Sequence, residues 1–263
     1  MDVGCTLALV ALIALSAVRF EATWRAIGSP DVARAALART GRPLARALIA
    51  AGVTASTITG ASLALAAVAA LLAAAGHFGA AALALGVASV GDALDGLVAR
   101  ESDTVSRAGA LFDATADRYG ELLFLGGVAF AVRDRGAVLV LVLLAILGSV
   151  MVSYGSAKAE ALGAEVPGGA MRRAARAITM VAGAALTPIW AVVSARLVLP
   201  AWTADAPLVV ALLVLGVVAN VSAVVRLRAI GRAVSPAPFP VPVGTPAPRR
   251  ALREPDATLD AAE

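Results

Sequence analysis

Four aspartates with helical spacing are the residues of this chain best placed to do chemistry. Asp92 and Asp95 are three residues apart, and Asp113 and Asp117 are four apart, so each pair shares one face of a helix. The connection between the two helices is short, which predicts antiparallel neighbours whose acidic faces converge at one end. Clustered carboxylates repel each other and resist desolvation, so a positive partner must hold them.

Divalent cations are the natural partners of such a cluster. Mg²⁺ and Mn²⁺ prefer oxygen ligands, and two ions about 4 Å apart would clamp a phosphoryl group and stabilise its attacking and leaving oxygens. Gly96 follows Asp95, and Gly109 precedes Asp113 by one turn. Both glycines leave room for a pyrophosphate near the backbone, although ordinary helix packing also explains either glycine alone.

The composition predicts that these helices lie in a membrane. Of the 263 residues, 60% are hydrophobic and 15% are charged, whereas soluble domains carry about 25% charged residues. Apolar residues also fall in blocks near the length of about 20 residues that a spanning helix needs. We therefore predict an all-α polytopic membrane protein with six transmembrane helices, at 54–76, 79–100, 108–132, 136–160, 174–199 and 206–230.

Three segments are expected along the chain. Residues 1–29 hold an apolar run, 3–18, that is short for a span and forms either an extra short helix or a peripheral one. Residues 30–232 form the membrane domain, which opens with an interfacial amphipathic helix over 30–51 that carries Arg34, Arg39, Arg42 and Arg46. Residues 233–263 form a Pro- and Ala-rich tail that we expect to be disordered.

Basic residues predict the orientation. One set of helix ends carries ten of them, Arg46, Arg100, Arg107, Lys158, Arg172, Arg173, Arg176, Arg226, Arg228 and Arg232. The positive-inside rule places these ends, and the acids with them, on the cytoplasmic side of the cell (inner) membrane. Aromatic residues are few and no basic stripe carries stacking side chains, which argues against nucleic-acid binding. Membrane lipids are the expected partners of the remaining basic residues.

The acidic stretch resembles the signature of the CDP-alcohol phosphatidyltransferases. The run Asp92-x-x-Asp95-Gly96-x-x-Ala99-Arg100, followed after eight residues by Gly109-x-x-x-Asp113-x-x-x-Asp117, matches that signature at all eight positions. The resemblance implies that Asp92, Asp95, Asp113 and Asp117 bind two Mg²⁺ or Mn²⁺ ions and that Asp117 is also the general base. It further implies a CDP pocket lined by Gly96, Ala99, Arg100 and Gly109, with the Thr59 hydroxyl within reach of the nucleotide.

The reaction implied by this resemblance is a phosphotransfer in phospholipid biosynthesis. An alcohol would attack the lipid-side phosphorus of CDP-diacylglycerol or a similar CDP-lipid, and CMP would leave. The resemblance covers about residues 40–232 in outline and makes a homodimer an expected assembly. Helix capping by Thr54 or Ser56 is an alternative role for the hydroxyl cluster near Thr59.

The acceptor site is predicted from a second motif. Ser153-Tyr154 and Lys158, followed by Arg173 and Arg176, resemble the bacterial phosphatidylinositol phosphate synthases of that family, in which basic residues bind the phosphate of inositol phosphate. Arginines one turn apart at a helix start suit a phosphate. Glycerol 3-phosphate is a competing acceptor, and topology signals or headgroup contacts would also explain these basic residues.

Two other functions deserve comparison with this prediction. A cation transporter would use intramembrane acids, but the four aspartates lie near one face and no polar path leads to the other. An inactive scaffold would not need the complete eight-residue signature. A metal-dependent phosphatidyltransferase therefore accounts for more of the sequence than either alternative.

Overall fold

A computed structural model describes residues 41–165 and 171–234, and these residues form helices and connecting turns without a β-strand. The first helix, α1, is described over 41–50. Six long helices follow, α2 (Ala55–Ala74), α3 (Phe78–Glu101), α4 (Arg107–Ala131), α5 (Gly136–Ala161), α6 (Arg173–Arg196) and α7 (Ala206–Val234). The apolar run 3–18, the start of the predicted interfacial helix and the tail from 235 onward lie outside the described residues.

The long helices coincide with the predicted spans to within a few residues. Five of them, α2, α3, α5, α6 and α7, are long and apolar enough to cross a membrane. The sixth, α4, has 25 residues but carries the charged residues Asp117, Arg118 and Glu121 in its middle. The all-helical membrane fold is therefore confirmed, and a spanning role for α4 stays a prediction.

Helix α2 separates the two helices that carry the aspartates. α3 and α4 make few contacts with each other, because both pack along α2. Small residues allow this close fit: Gly91 of α3 faces Ser62, while Gly120 and Gly127 of α4 face Ala66 and Ala70. The expected antiparallel pair is thus splayed around α2, and this splay opens a space between the C-terminal end of α3 and the N-terminal end of α4.

Gly127 offers a direct test of this packing. A Cβ atom at Gly127 would overlap the backbone carbonyl of Ala70, whereas the neighbouring Gly126 has no atom within 4 Å of its own Cβ position. We expect Gly127→Ala to destabilise the fold by about 1–3 kcal/mol, the usual cost of overpacking, and Gly126→Ala to be nearly neutral. Thermal unfolding of both variants in detergent measures the difference, and equal melting temperatures would contradict the packing described here.

Small residues also allow close packing in the second half of the bundle, which is formed by α5, α6 and α7. α6 and α7 meet at Gly183, which faces Ala211, and α5 meets α7 at Gly148. α7 contains a π-helical turn, Leu215–Ala219, next to which the Asn220 side chain donates to the Leu144 carbonyl at 2.8 Å. Contacts between α3 and α6 join the two halves.

Helix α1 lies against the end of α3 that carries the acids. Ala45 packs with Leu97 and Val98 of α3, and Glu101 forms ion pairs with Arg42 at 3.0 Å and Arg46 at 3.2 Å. The first turns of α2 and α4 are capped by Thr54 and Ser106 side chains. The apolar contacts and the ion pairs thus fix α1 against the end of α3 that carries the acidic residues.

Candidate active site

The four aspartates meet at the junction of α3, α4 and α6. Asp95 is buried and accepts a 2.6 Å hydrogen bond from the Thr59 hydroxyl of α2. Asp113 lies near enough to repel the other three carboxylates. The predicted convergence is therefore present in the folded chain, and Thr59 contacts one of the acids directly.

Two carboxylate oxygens of this cluster lack hydrogen-bond donors. Asp113 Oδ1 and Asp117 Oδ1 are buried without a hydrogen bond, which is costly unless a positive group is close. Asp117 Oδ1 has such a group, because it forms an ion pair with the Arg173 guanidinium. An all-oxygen donor set with open lone pairs suits a hard divalent cation, so the residues fit the metal that the signature implies. In the described residues no three acidic, histidine or cysteine side chains form a set that encloses one ion, because Asp92, Asp95 and Asp117 are turned to other partners.

Arg173, the first residue of α6, holds two of these carboxylates. Its Nη2 atom donates to Asp92 Oδ2 at 2.5 Å and also forms an ion pair with Asp117 Oδ1. The Asp117 side chain is 9% exposed and the Arg173 side chain is 45% exposed. The guanidinium therefore supplies the positive charge that the clustered carboxylates require.

A cavity of about 530 Å³ opens where α3 and α4 splay apart. All five residues predicted to bind CDP line it together with two of the acids: Thr59, Gly96, Ala99, Arg100, Gly109, Asp95 and Asp113. The Arg100 guanidinium folds back over Gly96, with its Nη1 atom 3.3 Å from the position of a Cβ there. This cavity, which we call the nucleotide cavity, joins a basic group, small residues and carboxylates in one space.

A second cavity, of about 280 Å³, borders Asp117. Five arginines from three helices line it, Arg118, Arg172, Arg173, Arg176 and Arg226, with Ser153 and Ser156 of α5. Arg226 of α7 donates to the Ser156 hydroxyl. We call this space the basic cavity, and its charge suits a phosphorylated ligand.

Arg176 is buried and held by several partners. It is 4% exposed, and its guanidinium pairs with Glu121 of α4 through two hydrogen bonds of 2.7 and 2.9 Å. It also donates to the Met171 carbonyl and to the Ser153 hydroxyl. Arg176 thus links α4, α5 and α6, and it also lines the basic cavity.

The structure brings together most, not all, of the predicted site residues. Lys158 is exposed near the end of α5 and is not among the residues that line the basic cavity. Five further residues belong to this site that were not predicted from the sequence, Arg118, Arg172, Arg226, Glu121 and Ser156. Glu121 could have been found, because it continues the four-residue spacing of Asp113 and Asp117 along one face of α4.

Comparison with known proteins agrees with this geometry. Residues 52–218 match the family model described as CDP-alcohol phosphatidyltransferase. The phosphatidylinositol phosphate synthase of Mycobacterium marinum is 38% identical over 165 residues, which are 60% of this chain and 70% of that protein.

Solved structures of a relative share the fold. The crystal structure of the Mycobacterium tuberculosis phosphatidylinositol phosphate synthase with CDP-DAG bound superimposes with a TM-score of 0.63 and 28% identity, covering 73% of this chain and 94% of that one. The same synthase in complex with manganese and citrate gives a TM-score of 0.62 at 28% identity, covering 72% of this chain and 88% of that one.

Proposed function

This chain belongs to the CDP-alcohol phosphatidyltransferase family, and we propose that it transfers a phosphatidyl group from CDP-diacylglycerol to a phosphorylated alcohol, with inositol phosphate as the preferred acceptor. The chain is a membrane enzyme of phospholipid biosynthesis, and the resemblance inferred from its signature is confirmed. The roles of individual residues, the acceptor and the placement in the cell are parts of the proposal.

Members of the family depend on divalent metal ions, and a relative has been solved with manganese. In the proposal, two ions, Mg²⁺ or Mn²⁺, are held by Asp92, Asp95, Asp113 and Asp117. Such ions, when bound, neutralise phosphate oxygens and the charge that develops on the leaving group. The Oδ1 atom of Asp113, which is buried without a hydrogen bond, supports this assignment.

The nucleotide cavity would hold the CDP part of the lipid substrate. Gly96, Ala99 and Gly109 offer small surfaces to the cytidine and pyrophosphate, and Arg100 offers a positive charge to the phosphates. Thr59 would act through Asp95, whose carboxylate it orients by a hydrogen bond. Positioning by these residues would supply part of the rate acceleration.

Asp117 would serve as the general base because it is the aspartate of the four that lines the proposed acceptor cavity. It lines the basic cavity directly, while Asp95 and Asp113 line the nucleotide cavity. The acceptor hydroxyl would give its proton to an Asp117 oxygen as its own oxygen bonds to the lipid-side phosphorus. The bond from that phosphorus to the bridging pyrophosphate oxygen would break, and CMP would leave with that oxygen.

The basic cavity is the observation that carries the acceptor assignment. Arg173 and Arg176, the predicted phosphate ligands, line it with three further arginines, and the volume of about 280 Å³ admits a small phosphorylated polyol. Lys158 would serve the acceptor only at the mouth, since it is exposed. The relative from Mycobacterium marinum, by name a phosphatidylinositol phosphate synthase, supports inositol phosphate over glycerol 3-phosphate.

The proposal also includes placement and assembly. The basic helix ends of α3, α5, α6 and α7 lie on the same side as the aspartates, which favours an active site facing the cytoplasm in the inner membrane. The membrane domain would comprise residues 30–232, and the enzyme would form a homodimer as the family resemblance implies.

An acceptor panel tests the proposal. Purified protein with Mg²⁺ and radiolabelled CDP-diacylglycerol is given inositol 1-phosphate, glycerol 3-phosphate, serine or free inositol, and the labelled lipid product is identified. We expect inositol 1-phosphate to give the highest kcat/KM and free inositol to give little product, because only the phosphate ester presents an anion to the arginines.

Three outcomes of the same panel would contradict or change the proposal. Equal use of inositol and inositol 1-phosphate would remove the phosphate-binding role of the basic cavity. Preference for glycerol 3-phosphate would keep that role and change the acceptor. Lack of CMP release with every acceptor would contradict the transfer reaction itself.

A further inference from the structure

Arg173 belongs to two neighbouring parts of the site at once. Its guanidinium contacts Asp92 and Asp117, and the same residue lines both the basic cavity and a small cavity of about 40 Å³ beside those two aspartates. Arg176, one turn later on α6, is buried and held by Glu121. Arg173 is therefore the more exposed of the two arginines assigned to the acceptor.

A bound cation and the Arg173 guanidinium would compete for Asp92 and Asp117. A divalent cation held by Asp92 and Asp117 would need the carboxylates that now pair with the guanidinium. Two positive groups at such short range also repel strongly. Cation binding must therefore displace Arg173 from the carboxylates, and the basic cavity is the adjoining space that the residue already lines.

We propose that Arg173 exchanges between the acidic cluster and the basic cavity, so that a divalent cation and a phosphorylated acceptor promote each other's binding. This inference rests on the proposed function, because it takes the aspartates as metal ligands and the basic cavity as the acceptor site. Arg173 neutralises Asp92 and Asp117 until a cation replaces it, and then it becomes a phosphate ligand.

The exchange has a thermodynamic consequence that can be measured. A phosphate that draws Arg173 into the basic cavity removes the competitor of the cation, and by linkage the cation strengthens phosphate binding by the same factor. The guanidinium keeps a charge-assisted partner in both positions, carboxylate or phosphate. An acceptor would therefore bind weakly to the enzyme that carries no cation, which orders the assembly of the reacting complex.

Binding of Mn²⁺, followed by electron paramagnetic resonance on the full chain in detergent, tests the exchange without turnover. In the absence of acceptor, we expect Arg173→Gln to bind Mn²⁺ about five- to tenfold more tightly than the wild type, because no guanidinium competes. Addition of inositol 1-phosphate should tighten Mn²⁺ binding by a similar factor in the wild type and leave Arg173→Gln nearly unchanged.

Arg172→Gln is the matched control. Arg172 precedes Arg173 and lines the same cavity, but in the described part of the chain its side chain forms no ion pair with the aspartates. We expect its Mn²⁺ affinity without acceptor to equal that of the wild type. Because Arg172 lines the acceptor cavity, the tightening is measured at an inositol 1-phosphate concentration that saturates the variant, where it should persist. Arg173→Lys extends the test to a variant that keeps a charge near the aspartates: a single ammonium bridges two carboxylates less well than a forked guanidinium, so Mn²⁺ should again bind more tightly than in the wild type.

Three results would overturn the inference. Wild-type Mn²⁺ affinity in both Arg173 variants would show that the guanidinium does not compete. Full tightening by inositol 1-phosphate in Arg173→Gln would show that the coupling bypasses this residue. Unchanged Mn²⁺ binding in Asp113→Asn would overturn the proposed metal site and the inference together. If Asp113→Asn loses Mn²⁺ binding but the Arg173 variants bind Mn²⁺ like the wild type, only the inference is overturned.

Discussion

Asp117→Asn should reduce CMP release from CDP-diacylglycerol by about 10²- to 10⁴-fold, the usual contribution of a positioned general base. The amide has nearly the same shape as the carboxylate but cannot accept the hydroxyl proton or offer a charged oxygen to a cation. Asp113→Asn should cause a comparable loss through the metal alone. The measurement is the release of labelled CMP in detergent at saturating inositol 1-phosphate and Mg²⁺.

The control for this loss is a nearby aspartate outside the site. Asp103 lies in the turn between α3 and α4 and is exposed with a φ of 54°, a conformation that asparagine also tolerates. Asp103→Asn should retain wild-type turnover. Thermal unfolding must show that all three variants are folded, and normal CMP release by a folded Asp117→Asn would remove the catalytic assignment.

Arg176→Ala should destabilise the protein by about 3–5 kcal/mol, the range found when one partner of a buried ion pair is removed. Glu121, whose side chain is 11% exposed, would keep its negative charge without the two hydrogen bonds that now satisfy it. Ser153 and the Met171 carbonyl would also lose their donor. We expect a large fall in melting temperature in detergent, and a raised KM for the acceptor in the protein that remains folded.

A neighbouring arginine and a double variant separate charge pairing from side-chain loss. Arg172→Ala removes an exposed arginine from the same cavity and should melt close to the wild type. Replacing both partners, Glu121→Leu with Arg176→Met, should recover much of the lost stability, because no buried charge is then left uncompensated. An Arg176→Ala variant that melts like Arg172→Ala would contradict the importance of this pair.

The acidic cluster shows how much local geometry can be predicted from the sequence alone. Helical spacing alone places Asp92 beside Asp95 and Asp113 beside Asp117, and the high cost of charge in an apolar helix marks them as functional. The same reasoning, carried one turn further, would have included Glu121. It could not reveal that Glu121 belongs to Arg176, because that residue arrives from a helix 55 positions later.

The nucleotide cavity could be predicted in part from the sequence, and its remaining features only from the structure. Four of its five predicted residues were identified from the family signature and the fifth, Thr59, from the Thr/Ser cluster at the start of α2, and the folded chain brings all of them to one space. The expectation that α3 and α4 are direct neighbours was wrong in its packing, since α2 lies between them for most of their length. Glycines at 91, 120 and 127 make this insertion possible, and a glycine in sequence does not state which helix approaches it.

By itself the sequence determined the all-helical membrane architecture and the acidic face of each helix, since these depend on composition and on a periodicity that every α-helix shares. The family was indicated by the resemblance of one motif to a known signature. Only the tertiary structure decided which charges meet across helices. It brought Arg173 to Asp92 and Asp117, Arg176 to Glu121, and Arg226 to Ser156. Such pairings depend on the rotation and crossing of packed helices, which are set by contacts between residues far apart in the chain.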